Sequence, residues 1–222
     1  MSIAALLLVA LIGTIIRSPL PANTLDLDNW ALAIPVAPAA EIKQPALSTY
    51  RSQYLDVNYL GNGVKFTTPT NGAIQPGSDY PRTELRQTET WNSDTGTHKL
   101  EITESINILP AGYPSAIIAQ IHDADRYIAV TQINGPKIYI KIADTEAAVL
   151  DDNYTRGQIF TMTWTVSNNQ LTVQYNTRPP AVIPIRCAGC YYKAGVYDQQ
   201  VTDTPGDVAQ ATIYELKVRN LK

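Results

Sequence analysis

Cysteine, histidine, phenylalanine and methionine each occur only twice in the 222 residues, and that scarcity removes several kinds of chemistry. A structural zinc site takes about four ligands. Cys187 and Cys190 form a single pair in "CAGC", and His98 and His122 stand far from it, so neither a metal nor another cofactor is expected. The spacing also fits a redox pair, but no thioredoxin-like βαβ pattern surrounds it, and in an exported chain a local disulfide is the expected state. Long apolar runs are missing too, apart from "IAALLLVALIGTII", Ile3 to Ile16. That run falls short of the roughly 20 residues of a membrane span and has the length of a signal-peptide core. Residues 1–22 are therefore read as a signal peptide, with an uncleaved N-terminal anchor as the alternative. A secreted, extracellular protein follows, its mature domain covering residues 25–222 and making no membrane contact.

Helical periodicity is the other absence. Beyond the N-terminus, Val, Ile, Thr and Tyr recur in short alternating runs punctuated by Gly, Pro, Asn and Asp, which is an all-β signature. "THKLEITESINIL" puts Leu100, Ile102, Ile106 and Ile108 on one face and Lys99, Glu101, Thr103 and Ser105 on the other. "KIYIKIAD" does the same, with Ile138, Ile140 and Ile142 inward and Lys137, Tyr139 and Lys141 outward. "IFTMTWTVSNNQLTVQYN" reads as two strands about an Asn168-Asn169 turn. With no repeat and no internal linker, these strands predict one domain: a two-sheet sandwich of jelly-roll type with a concave, substrate-binding sheet.

Three segments carry polar groups at strand spacing. Successive side chains of a strand point to opposite faces. In "RTELRQ", Arg82, Glu84 and Arg86 share a face; in "AIIAQIHD", Gln120 and His122 do. In "YYKAGVYDQ", Tyr191, Lys193, Gly195, Tyr197 and Gln199 share one, the glycine leaving open space where a larger side chain would stand. A single such strand is usually a solvated surface. Three of them, holding one of the two histidines, suggest a shared site.

These segments, in this order, resemble the signature motifs of polysaccharide lyase family 7, the alginate lyases: R-(S/T)-E-L-R, Q-(I/V)-H and Y-F-K-A-G-V/I-Y-x-Q. The opening strand "LDLDNWALAIPV" is similar to the family's as well. Two positions depart from the pattern, Tyr192 for the usual Phe and Asp198 for the common Asn. The resemblance implies a β-jelly roll that cleaves a 1,4-linked uronate polymer by β-elimination. Elimination needs stabilisation of charge building on the C6 carboxylate, a base for the C5 proton and an acid for the O4 leaving group. By similarity the catalytic set is Arg82, Gln120, His122 and Tyr197.

Glu84, Arg86, Lys137, Tyr139, Lys141, Tyr191, Lys193 and Gln199 are expected to serve substrate binding, Glu84 by orienting Arg82 or Arg86 through an ion pair. Nearby cations are expected to favour the phenolate of Tyr197. His98 is expected at the surface. The net charge of −3 does not argue against a polyanion partner, because basic residues gathered on one sheet make a local attractive field. The expected partner is alginate, bound by a monomer with no nucleic-acid partner. The middle residue of the Q-(I/V)-H segment, Ile121, points weakly toward guluronate-containing blocks. Another polyuronate such as glucuronan remains an alternative substrate. A noncatalytic carbohydrate-binding jelly roll is the alternative from another class. The paired carboxylic acids of a glycoside hydrolase have no clustered E-x-D-x-x-E strand to supply them.

Overall fold

The computed structural model describes residues 19–38 and 41–221. The apolar run Ile3 to Ile16 lies outside the described residues. In chain order, a short helix, α1 (Pro21–Thr24), precedes fifteen strands: β1 (Trp30–Ala33), β2 (Glu41–Ile42), β3 (Leu55–Val57), β4 (Val64–Pro69), β5 (Arg82–Gln87), β6 (Thr97–Ile108), β7 (Ser115–His122), β8 (Tyr127–Asn134), β9 (Lys137–Ile142), β10 (Thr145–Asp151), β11 (Phe160–Ser167), β12 (Gln170–Tyr175), β13 (Ala181–Pro184), β14 (Tyr191–Asp198) and β15 (Val208–Leu221). They form two antiparallel sheets. One has eight strands in the order β10-β9-β8-β7-β14-β5-β1-β2, the other seven in the order β13-β12-β11-β6-β15-β4-β3.

The alternation read from sequence builds the core between these sheets. Leu100 and Ile102 of β6, Ile138 and Ile140 of β9, and Trp164 and Val166 of β11 are all fully buried. On the same sheet as β9 and facing β6 and β11 across the core, Leu85, Ala119, Ile121, Tyr192 and Ala194 point inward from β5, β7 and β14, and β14 packs across onto β4 and β15. Each large apolar side chain buried in this way contributes about 1.5–3 kcal/mol. The β11–β12 hairpin turns at Asn168 and Asn169, both at positive φ (52° and 58°), as its tight turn requires.

Three expectations need correction. Ile108 is 40% exposed instead of inward, and Ser105 is fully buried, because the register of β6 with β15 shifts between Ile213 and Glu215 and again between Gln210 and Ala211. Glu104 takes the inward place between Ile102 and Ile106; burial raises its carboxyl well above the usual range. His98 is buried, stacked on Trp91 at 4.6 Å, with its ring nitrogens facing Asn220 Oδ1 (3.0 Å) and the Thr95 carbonyl (2.7 Å).

The centre of the eight-stranded sheet positions the polar segments. β14 runs between β7 and β5 and pairs with both. Lys193 lies opposite Arg86, Gly195 opposite Glu84 and Tyr197 opposite Arg82; on the other side Tyr191 faces His122 and Lys193 faces Gln120. Paired residues of an antiparallel ladder project from the same face. The outward side chains of three consecutive strands therefore converge.

Candidate active site

Gly195 is the hinge of this convergence, for a reason the alternation does not reveal. Its φ is +135°, and a Cβ there would sit 2.6 Å from the Thr83 carbonyl oxygen, 3.0 Å from the Glu84 Cα and 3.0 Å from the Phe66 ring. The glycine thus meets a backbone demand; it does not hold space open above the sheet, as the spacing had suggested. Between Ala194 and Tyr197 the pairing of β14 with β7 slips, while its pairing with β5 runs on unbroken. This bulge keeps Tyr197 opposite Arg82 while Lys193 and Tyr191 stay in register with Gln120 and His122.

Glu84 is the hub. It is fully buried; its Oε2 accepts from Lys193 Nζ at 2.5 Å and from Arg82 Nη1 at 3.2 Å, and its Oε1 accepts from Gln120 Nε2. Burial raises its pKa, but the charges of Lys193 and Arg82 and the hydrogen bonds from Lys193 and Gln120 together outweigh that and hold the carboxyl below the usual range. Lys193 is pulled the other way. Burial lowers its pKa, the Glu84 charge opposes that, and Arg82 and Arg86 add to the lowering. Its ammonium therefore depends on Glu84. The expected ion pair exists with Arg82 and Lys193, while Arg86 lies instead over the Tyr191 ring, 4.2 Å from its centroid.

The proton-transfer candidates flank this hub. Arg82 lies 3.9 Å over the Tyr197 ring and donates from Nη2 to Ser78 Oγ at 2.5 Å. The Tyr197 hydroxyl accepts the Asp79 backbone N–H at 3.3 Å. Burial raises the phenol's pKa and outweighs the lowering by Arg82, so the neutral phenol, not the phenolate, is the favoured resting form. His122 Nδ1 faces the Asp123 carbonyl at 2.6 Å and the Tyr191 hydroxyl at 3.2 Å, with the two rings stacked at 5.6 Å. Burial lowers its pKa against the opposing backbone bond to Asp123, and the Lys193 charge lowers it further. A neutral imidazole with one nitrogen anchored is suited to accept a proton on the other.

Arg82, Arg86, His122, Tyr191 and Lys193 line one cavity of about 350 Å³. The segment Gln75–Ser78 closes one side of it; Glu41 and the turn residues Ala124 and Asp125 also line it. Lys137, Tyr139 and Lys141 sit on β9, two strands beyond β7, roughly 10 Å away at normal strand spacing. There Lys137 pairs with Glu146 at 2.5 Å and Lys141 with Asp144 at 3.3 Å. Gln199 lies just past β14, its side-chain amide donating to the Asp198 carbonyl at 2.7 Å. Neither group reaches the cavity. Sequence parity missed Ser78 and Asp79, which bind Arg82 and Tyr197 from a loop where no alternation exists; their only signal is their position just before "RTELR".

Asp198, next to Tyr197, is buried and accepts the backbone N–H groups of Gln199 (2.7 Å) and Gln200 (3.2 Å). Burial pushes its carboxyl up to about 7, against those two bonds. Cys187 and Cys190 form a disulfide just before β14. Among the described residues no cluster of His, Cys, Asp or Glu could hold a metal ion, and no helix is long and apolar enough to cross a membrane.

Comparison with known proteins places this geometry. The alginate lyase family profile matches residues 25–220. Among solved structures, an alginate lyase from polysaccharide lyase family 7 is 34% identical, with a TM-score of 0.90, covering 92% of this chain and 100% of that one. The alginate lyase from Corynebacterium sp. is 32% identical, with a TM-score of 0.86 and coverage of 90% and 98%. A variant of the family 7 alginate lyase A1-II′, in complex with product (GGG), is 25% identical, with a TM-score of 0.79 and coverage of 90% and 99%. No curated protein matches the sequence.

Proposed function

Given that the chain belongs to the alginate lyase family of polysaccharide lyases, we propose that it cleaves the 1,4-linked uronate backbone of alginate by β-elimination at the face shared by β5, β14 and β7. The observation that carries this reading is the juxtaposition of an arginine, an amide, a neutral imidazole and a neutral phenol around one buried carboxylate. Arg82 and Gln120 meet the C6 carboxylate of the reacting sugar. As the C5 proton leaves, negative charge grows on that carboxylate, and preorganised donors stabilise the transition state more than the ground state. Glu84 holds both donors in place and does not itself touch substrate. The Tyr197 phenol gives its proton to the departing O4.

The base depends on the sugar. In mannuronate the C5 proton and O4 lie on the same side of the ring, so Tyr197 can serve both once its own proton has passed to solvent: the phenolate takes the C5 proton and hands that same proton to O4, returning to phenolate. In guluronate they lie on opposite sides, and His122 takes the C5 proton. A weak preference for guluronate-containing blocks belongs to this proposal. Ile121 is fully buried on the core face, so its influence on preference is exerted through the placement of Gln120 and His122. We further propose that the apolar run Ile3 to Ile16 directs export and that the mature enzyme works outside the cell.

Incubation with alginate tests the activity. Elimination creates a C4–C5 double bond at each new non-reducing end, so ultraviolet absorbance rises in step with reducing ends. New reducing ends without that chromophore would mean hydrolysis, and binding with neither signal would mean a lectin. Cleavage of glucuronan but not alginate would reassign the substrate while keeping the chemistry.

A further inference from the structure

A second cavity, of about 560 Å³, lies outside the catalytic machinery. It is lined by Arg126, Tyr127 and Ile128 at the start of β8, Ile142, Ala143 and Asp144 at the β9–β10 turn, and Pro184, Ile185 and Arg186 from the connection that leaves the other sheet. Its size falls within the roughly 300–1,000 Å³ of ligand sites. The floor is apolar, supplied by Ile128, Ile142, Pro184 and Ile185, and an exposed arginine stands among the walls on either side.

Both arginines are held at the backbone, and among the described residues neither guanidinium is locked by an ion pair or side-chain hydrogen bond; Arg126 feels the neighbouring Asp123 carboxylate through charge alone. The backbone beneath each is fixed. The Arg126 N–H donates to Asp123 Oδ1 at 2.9 Å, and its carbonyl accepts from the Asp123 N–H at 3.0 Å. Around Arg186, the Ile185 N–H donates to the Asn169 carbonyl at 2.9 Å, the Cys187 N–H donates to Ser93 Oγ at 2.9 Å, and Cys187 is tied to Cys190. The acids nearby are already engaged. Asp144, the acid in the lining, takes the Tyr127 hydroxyl at 2.7 Å and Lys141 Nζ at 3.3 Å on its Oδ1; Asp123, outside the lining, takes two backbone N–H groups on its own Oδ1.

We propose that this cavity is a second, noncatalytic binding site for the uronate polymer, in which Arg126 and Arg186 hold carboxylates and the apolar floor takes sugar ring faces. The proposal rests on the alginate lyase reading for its ligand, and on charge complementarity for its fit. Forked guanidinium donors match carboxylate geometry, and an exposed arginine whose guanidinium makes no direct bond keeps its donors available to a ligand. Position supports it. Tyr127 is the cross-strand partner of His122, so the cavity begins one strand beyond the catalytic histidine, on the far side of the turn whose Asp125 lines the catalytic cavity. A chain leaving the catalytic groove past His122 meets it next. The small disulfide also gains a purpose, since it steadies the segment that carries Arg186.

The double substitution Arg126→Gln, Arg186→Gln tests this, because both side chains are exposed and outside the core. Kinetics are measured on polymeric alginate and on an alginate tetrasaccharide. On the polymer KM rises about tenfold, as for loss of two modest charge-assisted contacts at an exposed site, while kcat stays the same. On the tetrasaccharide both constants are unchanged. An unchanged KM on the polymer overturns the proposal, and so does an equal rise on the tetrasaccharide, which would place the arginines in the catalytic groove. Calorimetric titration with polymeric alginate, made in a Tyr197→Phe background so that cleavage does not mask the heat of binding, is the independent arm: weaker binding when both arginines are substituted supports the site, and equal binding overturns it. If the unsubstituted protein releases no unsaturated ends, the proposed activity fails, and the titration still decides on the cavity.

Discussion

Replacing Glu84 with Gln keeps the shape of the side chain and removes its charge. In the native site one carboxylate serves Lys193, Arg82 and Gln120, and the side chains of Lys193 and Arg82 are only 8% and 10% exposed. A glutamine offers a single acceptor oxygen. Its amide nitrogen would face either the two cations or the Gln120 amide, donor against donor. Lys193 then stays buried with little compensation. Breaking a buried ion pair by removing one partner typically costs about 3–5 kcal/mol. For a domain of this size each kcal/mol lowers Tm by roughly 2–4 °C, so a fall of roughly 6–20 °C is expected in calorimetry. Turnover on alginate should fall as well, since Arg82 and Gln120 lose the group that aims them.

The pH dependence of the native protein carries the same signature. The folded pKa of Glu84 lies below its unfolded value of about 4.5. The stability this group contributes is therefore present above pH 4.5 and is lost as pH falls through the lower, folded value. Glu84→Gln should remove that part of the acid transition. A variant with unchanged Tm and unchanged turnover would refute the hub.

Arg82→Ala and Gln120→Ala should each lower kcat far more than they raise KM, by an amount equivalent to roughly 3–4 kcal/mol of transition-state stabilisation, whereas Arg86→Ala, which removes a cation stacked on Tyr191, should mainly raise KM. Steady-state kinetics in which Arg86→Ala abolished turnover and Arg82→Ala spared it would put the reacting sugar elsewhere. Because burial lowers the His122 pKa, the acid limb of kcat/KM on guluronate blocks should have its midpoint below 6.5, and a midpoint above that value would contradict a neutral, buried base. Asp198→Asn keeps the acceptor for Gln199 and Gln200 and deletes a charge whose folded pKa is raised from 3.8 to about 7. The protonated form is the one the fold favours, so stability falls as pH rises from 3.8 to about 7; the Tm advantage of the variant should grow across that window and then level off, and a constant difference would count against the burial argument.

Strand alternation made much of the site legible. Parity alone put Arg82, Glu84 and Arg86 on one face, Gln120 and His122 on another, and Tyr191, Lys193 and Tyr197 on a third, and the register of β5, β14 and β7 brings the three faces together. Parity could not show which partner Glu84 would take, because that depends on cross-strand offset and on how far Lys193 is buried. Nor could it show the bulge at Gly195, where a glycine that reads as missing bulk is a backbone conformation. Glu104 follows the alternation, sharing the buried face of Leu100, Ile102 and Ile106, and only its charged side chain disguised it; Ser105 and Ile108 are the residues that break the pattern, and nothing in "EITESINI" shows this until the register shifts of β15 are known. Ser78, Asp79 and Arg186 lie on loops, where position follows from the elements that the loop connects and from no repeating spacing.

Turnover of Tyr197→Phe on alginate is the most direct test of the catalytic face. The substitution keeps the ring under Arg82 and deletes only the hydroxyl, which among the described residues accepts the Asp79 N–H at 3.3 Å. That bond is worth about 0.5–1.5 kcal/mol at most, so Tm should fall by only a few degrees. The rate of appearance of unsaturated uronate ends should drop at least ~10²-fold on mannuronate and guluronate blocks alike, because the phenol protonates O4 in both. Near-normal rates from a protein with an undisturbed Tm would contradict the assignment of Tyr197, and with it the reading of this face as the wall where protons are exchanged.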